Sequence, residues 1–143
     1  MKKLLLLFIP LMFFFGCEEG DEENMGLQLN GVWLHSELMV NGAQENFDWC
    51  SEQSHLEFFN NWSANYNEYY TDFPENPAIE PCEPYLAFNI TYEATSESNY
   101  LMTWTNDYEP GLSGNALVNG NTLIFSAITI EGLSLQWTFI KDE

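Results

Sequence analysis

Arginine is absent from this chain, and three lysines stand against 22 acidic residues for a net charge of −19. Such a surface repels phosphate. Nucleic-acid binding needs basic patches that release counterions, and this composition supplies none. Sustained 3.6-residue periodicity is also lacking, which argues against a helical domain. The usual catalytic signatures are missing as well: no Gly-x-Ser-x-Gly, no His-Glu-x-x-His and no Gly-rich phosphate loop. His35 and His55 are the only histidines, and each sits in a strand-like run that suits a hydrogen-bonded structural residue better than a general base. Neither an enzyme nor a cofactor is expected. No hydrophobic run is long enough to cross a bilayer. The longest, Leu4 to Phe15, has 12 residues. At about 1.5 Å per residue it cannot span an apolar core of about 30 Å.

That run has a different use. Lys2 and Lys3 precede it and the small residue Gly16 follows it, which is the pattern of a secretory signal peptide. Cys17, directly after Gly16, resembles the bacterial lipobox, although Phe14 and Phe15 stand where that motif usually has Leu and a small residue. The resemblance implies cleavage before Cys17 and a diacylglyceryl group on its thiol. Two or three acyl chains, at about 0.8 kcal/mol per buried CH₂, give a stable anchor. Glu18, Glu19, Asp21, Glu22 and Glu23 then form a self-repelling run suited to an extended, solvated tether. The run also resembles the acidic export signal that follows the lipidated cysteine in some Gram-negative lipoproteins moved to the outer face of the outer membrane. The expected organisation is a signal peptide over 1–16, a lipidated Cys17 with its tether over 17–26, and one folded domain over 27–143. Removing the signal leaves Lys141 alone against all 22 acids. The lipid, rather than protein charge, must then hold the outer membrane.

Cysteine count fits export. With Cys17 acylated, Cys50 and Cys82 remain as a pair for a disulfide in an oxidising compartment. Loop entropy gives such a bridge roughly 3.5–4 kcal/mol. A metal site is not expected, since no Cys-x-x-Cys occurs and the histidines are the only other soft ligands. Asp72, Glu75, Glu80 and Glu83 have a proline-broken spacing that matches no calcium loop, and solvated acids explain them.

Alternation with period two recurs along the folded part, punctuated by turn residues, and predicts antiparallel sheet. In "YLAFNITYEA", Leu86, Phe88, Ile90, Tyr92 and Ala94 share one face. Tyr100, Met102 and Trp104 do so in "YLMTWT", and Leu133, Leu135, Trp137 and Phe139 in "LSLQWTFI". "LSGNALV" and "TLIFSAITI" flank Asn119-Gly120, read as a type I′ hairpin turn. "GVWLHSELMV" reads as a strand ending at Asn41-Gly42, but Trp33 and Met39 fall on one register and Leu and Val on the other, so its inward face is undecided. "HLEFF" and "WSANYNEYY" read as a hairpin through Asn60-Asn61. The stretch from Thr71 to Pro84 carries four prolines and reads as a long loop tied down by Cys82, because proline donates no ladder hydrogen bond. Seven or eight such strands predict an all-β fold, an antiparallel up-and-down meander closed into a barrel. Closure removes exposed edges. A β-sandwich is the alternative.

"LNGVWLHSELMVNG" resembles the Gly-x-Trp first strand of lipocalins and of small lipocalin-like (calycin-type) domains in bacterial lipoproteins. Cys50 before "HLEFF", Cys82 after that hairpin, and the terminal "NTLIFSAITIEGLSLQWTFIK" follow the same order. The chain departs from the family in a longer, proline-rich loop before Cys82. It also lacks the Arg that closes the base over the first-strand Trp. The resemblance implies an up-and-down barrel with an interior for a small apolar or amphipathic ligand.

Trp33, Phe58, Phe88, Trp104, Phe125, Trp137 and Phe139 occupy inward registers, where they either line a ligand site or fill the core. A second candidate surface is aromatic: Trp62, Tyr66, Tyr69 and Tyr70 stand among asparagines, and exposed aromatics beside amides can stack on sugars. A glycan or protein partner on the outer face is therefore the alternative to a small ligand inside.

Overall fold

A computed structural model describes residues 28–46, 48–71, 82–106 and 111–143. The expected signal segment, Cys17 and its tether, and Asp72, Glu75 and Glu80 lie outside these described residues.

The described strands are β1 Gly31–Val40, β2 Ala43–Gln44, β3 His55–Phe58, β4 Ser63–Tyr70, β5 Glu83–Ser96, β6 Asn99–Thr105, β7 Leu112–Asn119, β8 Thr122–Ile128 and β9 Ser134–Lys141. From β3 onward each pairs antiparallel with the next, and β1 pairs with both β3 and β9. This makes a closed, eight-stranded up-and-down barrel, with the two-residue β2 attached only to the upper part of β1. The β1–β9 ladder, from Trp33↔Lys141 to Val40↔Leu135, excludes the sandwich. Gly31, Phe58, Asn99, Asn119 and Lys141 mark one end, the base. Val40, Tyr70, Glu83, Leu112 and Ser134 mark the other, the mouth.

Alternation sets which side chains turn inward. Ile90 and Tyr92 on β5, Tyr100, Met102 and Trp104 on β6, Ala116 and Val118 on β7, and Leu123, Phe125 and Ala127 on β8 form one core with Trp33, Leu56 and Phe139. The ambiguity of β1 has a structural cause. A bulge between His35 and Glu37 adds a residue and swaps the faces, since directly opposed residues share a side. Trp33 and His35 point in below the bulge; Leu38 and Val40, opposite Trp137 and Leu135, point in above it. Both registers of the sequence are therefore inward in turn.

Two sequence expectations need correction. Asn119 is not a turn residue: it pairs with Thr122, and the two-residue loop is Gly120-Asn121. Only Gly120, at φ 59°, enters the left-handed region there, which is the type II′ preference for glycine at the first position. A pair with positive φ at both residues occurs instead at Asn41 (51°) and Gly42 (79°). The long loop also ends earlier than Pro84. Glu83 and Pro84 open β5 opposite Tyr70 and Tyr69, beside a register shift at Glu68/Tyr69. Proline is tolerated at a strand's start or a bulge.

Gly114 is the tightest point of the wall. A Cβ there would collide with the Ser126 carbonyl oxygen and lie 2.9 Å from the Phe125 ring. This close approach lets Phe125 stack against Trp104 at 4.8 Å and 9°. Gly114→Ala is expected to lower stability by about 2 kcal/mol through overpacking, read from the urea midpoint. An unchanged midpoint would show that the wall yields.

Both cysteines of the folded part are joined. Cys50 and Cys82 form a disulfide with Cα atoms 5.4 Å apart. Asp48 shapes the approach: its Oδ1 accepts from the backbone N–H of Cys50 (2.9 Å) and Ser51 (2.7 Å) and from the Ser51 hydroxyl (3.0 Å). A 3₁₀ turn, Ser51–Gln53, follows.

Candidate functional site

The two ends of the barrel differ. At the base Leu29 is fully buried, and the Trp33 indole Nε1–H donates to the Leu29 carbonyl at 2.7 Å. Lys141, rather than an arginine, covers the ring: its Nζ sits 5.2 Å from the Trp33 centroid and donates to the Gln28 carbonyl at 2.9 Å. A cation over an indole face adds modest attraction. This end is sealed.

Toward the mouth the packing loosens. Five of the seven predicted lining residues, Trp33, Phe58, Trp104, Phe125 and Phe139, are buried, whereas Phe88 and Trp137 are half-buried, as are Leu112 and Leu135 near them. The five therefore fill the barrel. Phe88 and Trp137 stay partly accessible at the mouth, and both contact Trp104, at 6.0 Å and 5.3 Å between ring centroids. Exposed apolar side chains gather at this end too: Tyr70, Tyr85, Ile128, Leu133 and Ile130, the last 84% exposed.

Trp104 is the anomaly within the layer. Only 2% exposed, it is enclosed by Phe125, Trp137, Tyr66 and Phe88. Its Nε1–H is buried without an acceptor among the described residues. Leaving such a donor unsatisfied costs roughly 1–3 kcal/mol, so the position calls for an explanation.

A second polar feature lies in the wall. β3 reaches only as high as Leu34 on β1. Above it, the segment before β3 fills the gap between β1 and β4: the His35 N–H donates to the Ser54 carbonyl at 2.9 Å and the Tyr69 N–H to Ser54 Oγ at 3.0 Å. A cavity of about 100 Å³ remains, lined among others by His35, Ser54, Tyr66 and Glu68. His35 is 8% exposed. Its Nε2 lies 3.2 Å from the Glu37 carbonyl, which can only accept, so Nε2 carries the hydrogen. Nδ1 is then bare and accepts from the Tyr66 hydroxyl at 3.2 Å. Burial holds the imidazole pKa down to about 4, the Glu37 hydrogen bond opposing the shift. Burial, reinforced by Glu68, pushes the Tyr66 phenol well above its ordinary value, with a Ser54 hydrogen bond opposing. His55 is engaged in the same manner, Nδ1 to the Gln53 carbonyl at 2.9 Å and Nε2 beside Asn67 Nδ2 at 3.3 Å.

The four aromatics proposed to meet sugar are not brought together. Tyr66 is buried inside the barrel, Tyr69 is half-buried against His55, Tyr70 is exposed at the mouth beside Tyr85, and Trp62 is exposed at the base. Trp62 leans on Tyr92 at 5.5 Å and has φ 61°. A left-handed backbone at a non-glycine residue costs roughly 1–2 kcal/mol. Two features escaped the sequence. Ser54 carried no motif, and the alternation of Ala64 and Tyr66 with asparagines, which does mark Tyr66 as inward, is obscured by the run Glu68, Tyr69 and Tyr70 at the end of β4.

No protein-family model matches this sequence, and no curated protein matches it. Among solved structures, a redesigned β barrel superposes with a TM-score of 0.53 at 13% identity, covering 83% of this chain and 96% of its own. The likeness is one of fold.

Proposed function

We propose that this chain is a lipid-anchored outer-membrane lipoprotein, acylated at Cys17 after removal of residues 1–16, whose lipocalin-like barrel holds a small apolar or amphipathic ligand at its mouth. The protein binds this molecule without transforming it. One observation carries the ligand site: the base is sealed by Leu29, Trp33 and Lys141, while Phe88, Leu112, Leu135 and Trp137 at the mouth are only half-buried. An apolar layer with few polar groups is the usual lining of a small-molecule site. The anchor rests on the sequence, namely the short apolar run, Gly16 and Cys17.

Protein taken from its native host in detergent is expected to show, in a native mass spectrum, a mass beyond its acyl chains that disappears on denaturation. Cys17→Ser should free the protein from membranes. Membrane retention of that variant would overturn the anchor. A bare barrel that also takes up no apolar probe would overturn the ligand site. The function would then be a surface module for glycan or protein, which the solid packing beneath the mouth and the exposed, strained Trp62 favour.

A further inference from the structure

We infer that the Trp104 indole N–H is the hydrogen-bond donor of the mouth site, and that its ligand is an uncharged molecule with an apolar body and a carbonyl-type oxygen. The inference rests on the ligand-binding function proposed above and specifies its chemistry.

The donor is buried, and no acceptor among the described residues meets it. The rings around it, Phe125 stacked at 9° with Trp137, Tyr66 and Phe88 beside it, present mainly aromatic carbon, a poor acceptor for a strong hydrogen bond. The partner must then come from outside the packed side chains. Access from below is closed by the buried Trp33, Phe58 and Phe139. From above, among the described residues, it is not: Trp104 pairs with Leu112, the first residue of β7, and Leu112, Phe88 and Trp137 are half-buried. A ligand that moves these side chains aside places its oxygen on the N–H and its apolar part against the rings. Charge selects further. Glu83 opens β5 at the mouth and Glu131 lies in the turn between β8 and β9, within a chain of 22 acids and three lysines. An anionic head is repelled by this field, and a cationic ammonium brings no acceptor. A ketone, ester or amide satisfies both conditions, and a site built around a buried polar group discriminates strongly against molecules that cannot pair with it.

The folded full-length protein, labelled with ¹⁵N, can be titrated with 2-octanone, octanoate and octane. The ketone is expected to bind and to move the Trp104 indole proton downfield, with octanoate at least tenfold weaker. Trp104→Phe keeps an aromatic ring and removes the donor. It should weaken 2-octanone about tenfold more than it weakens octane, the difference being the worth of one hydrogen bond. Ketone binding with no indole shift, equal binding of octanoate, or full affinity in Trp104→Phe would overturn the inference while leaving a ligand site at the mouth. The indole shift is read on the unaltered protein, so the test survives a variant that folds poorly. If none of the three probes binds, the mouth site itself fails and the inference with it.

Discussion

Replacing Cys50 and Cys82 together by serine is expected to lower the unfolding free energy by about 3.5 kcal/mol. The bridge spans a sequence separation of 32, and without it the unfolded chain regains the freedom of that loop. The cost falls on a weak part of the wall. β3 is four residues long, so the upper halves of β1 and β4 are joined mainly by the segment carrying Cys50, through His35 N–H to Ser54 and Tyr69 N–H to Ser54. Urea unfolding of the variant, set beside the wild-type protein with and without reductant, measures the effect. A loss under about 1 kcal/mol would mean that Asp48 and the 3₁₀ turn hold the gap unaided.

Acid should weaken the fold through His35. Its imidazole has a pKa of about 4 when folded, against an ordinary value of 6.5, so below pH 6.5 the unfolded chain binds the extra proton. The stability held at neutral pH is complete above about pH 6.5 and is lost as pH falls toward about 4. At roughly 1.36 kcal/mol per unit, the loss comes to about 3 kcal/mol. Protonation also removes the lone pair on Nδ1 that the Tyr66 hydroxyl uses. In His35→Gln, unfolding free energy should vary less between pH 6.5 and 4 than in the wild-type protein, whose carboxylates contribute a common background. Parallel pH curves for the two would rule this out.

Most of the barrel was legible because its strands alternate cleanly. β5, β6, β8 and β9 are read from Phe88, Trp104, Phe125, Trp137 and Phe139 on the correct face, but Leu133, expected on the inward face of the last strand, lies before β9 and is exposed. The irregular stretches were harder for a local reason: β1 and the start of β5 each contain an extra residue. The bulge at Ser36 puts Trp33 and Leu38 on the same side although their spacing is odd, and the shift opposite Glu68/Tyr69 has the same effect at the start of β5, where Tyr85 is the inserted residue between Pro84 and Leu86. Period-two arithmetic cannot see an inserted residue. Closure followed from strand number and was confirmed by the β1–β9 ladder. The site was legible only as a list of inward aromatics. Which of them fill and which stay accessible depends on height along the barrel, and strand tilt sets height in a way no pattern reports. The unsatisfied Trp104 donor is a three-dimensional fact, since any strand tryptophan carries the same N–H.

Both described ends of the chain leave the barrel on one side. Gln28 lies under Lys141, and Glu143 reaches back to Asn121 at 3.3 Å, all at the plugged end. The anchor proposed at Cys17 would therefore join the barrel on its plugged side, across from the mouth. If the mouth holds a ligand as proposed, that ligand would exchange on the side away from the anchor. A reporter fused to either terminus, or a bead coupled there, would leave the doorway clear.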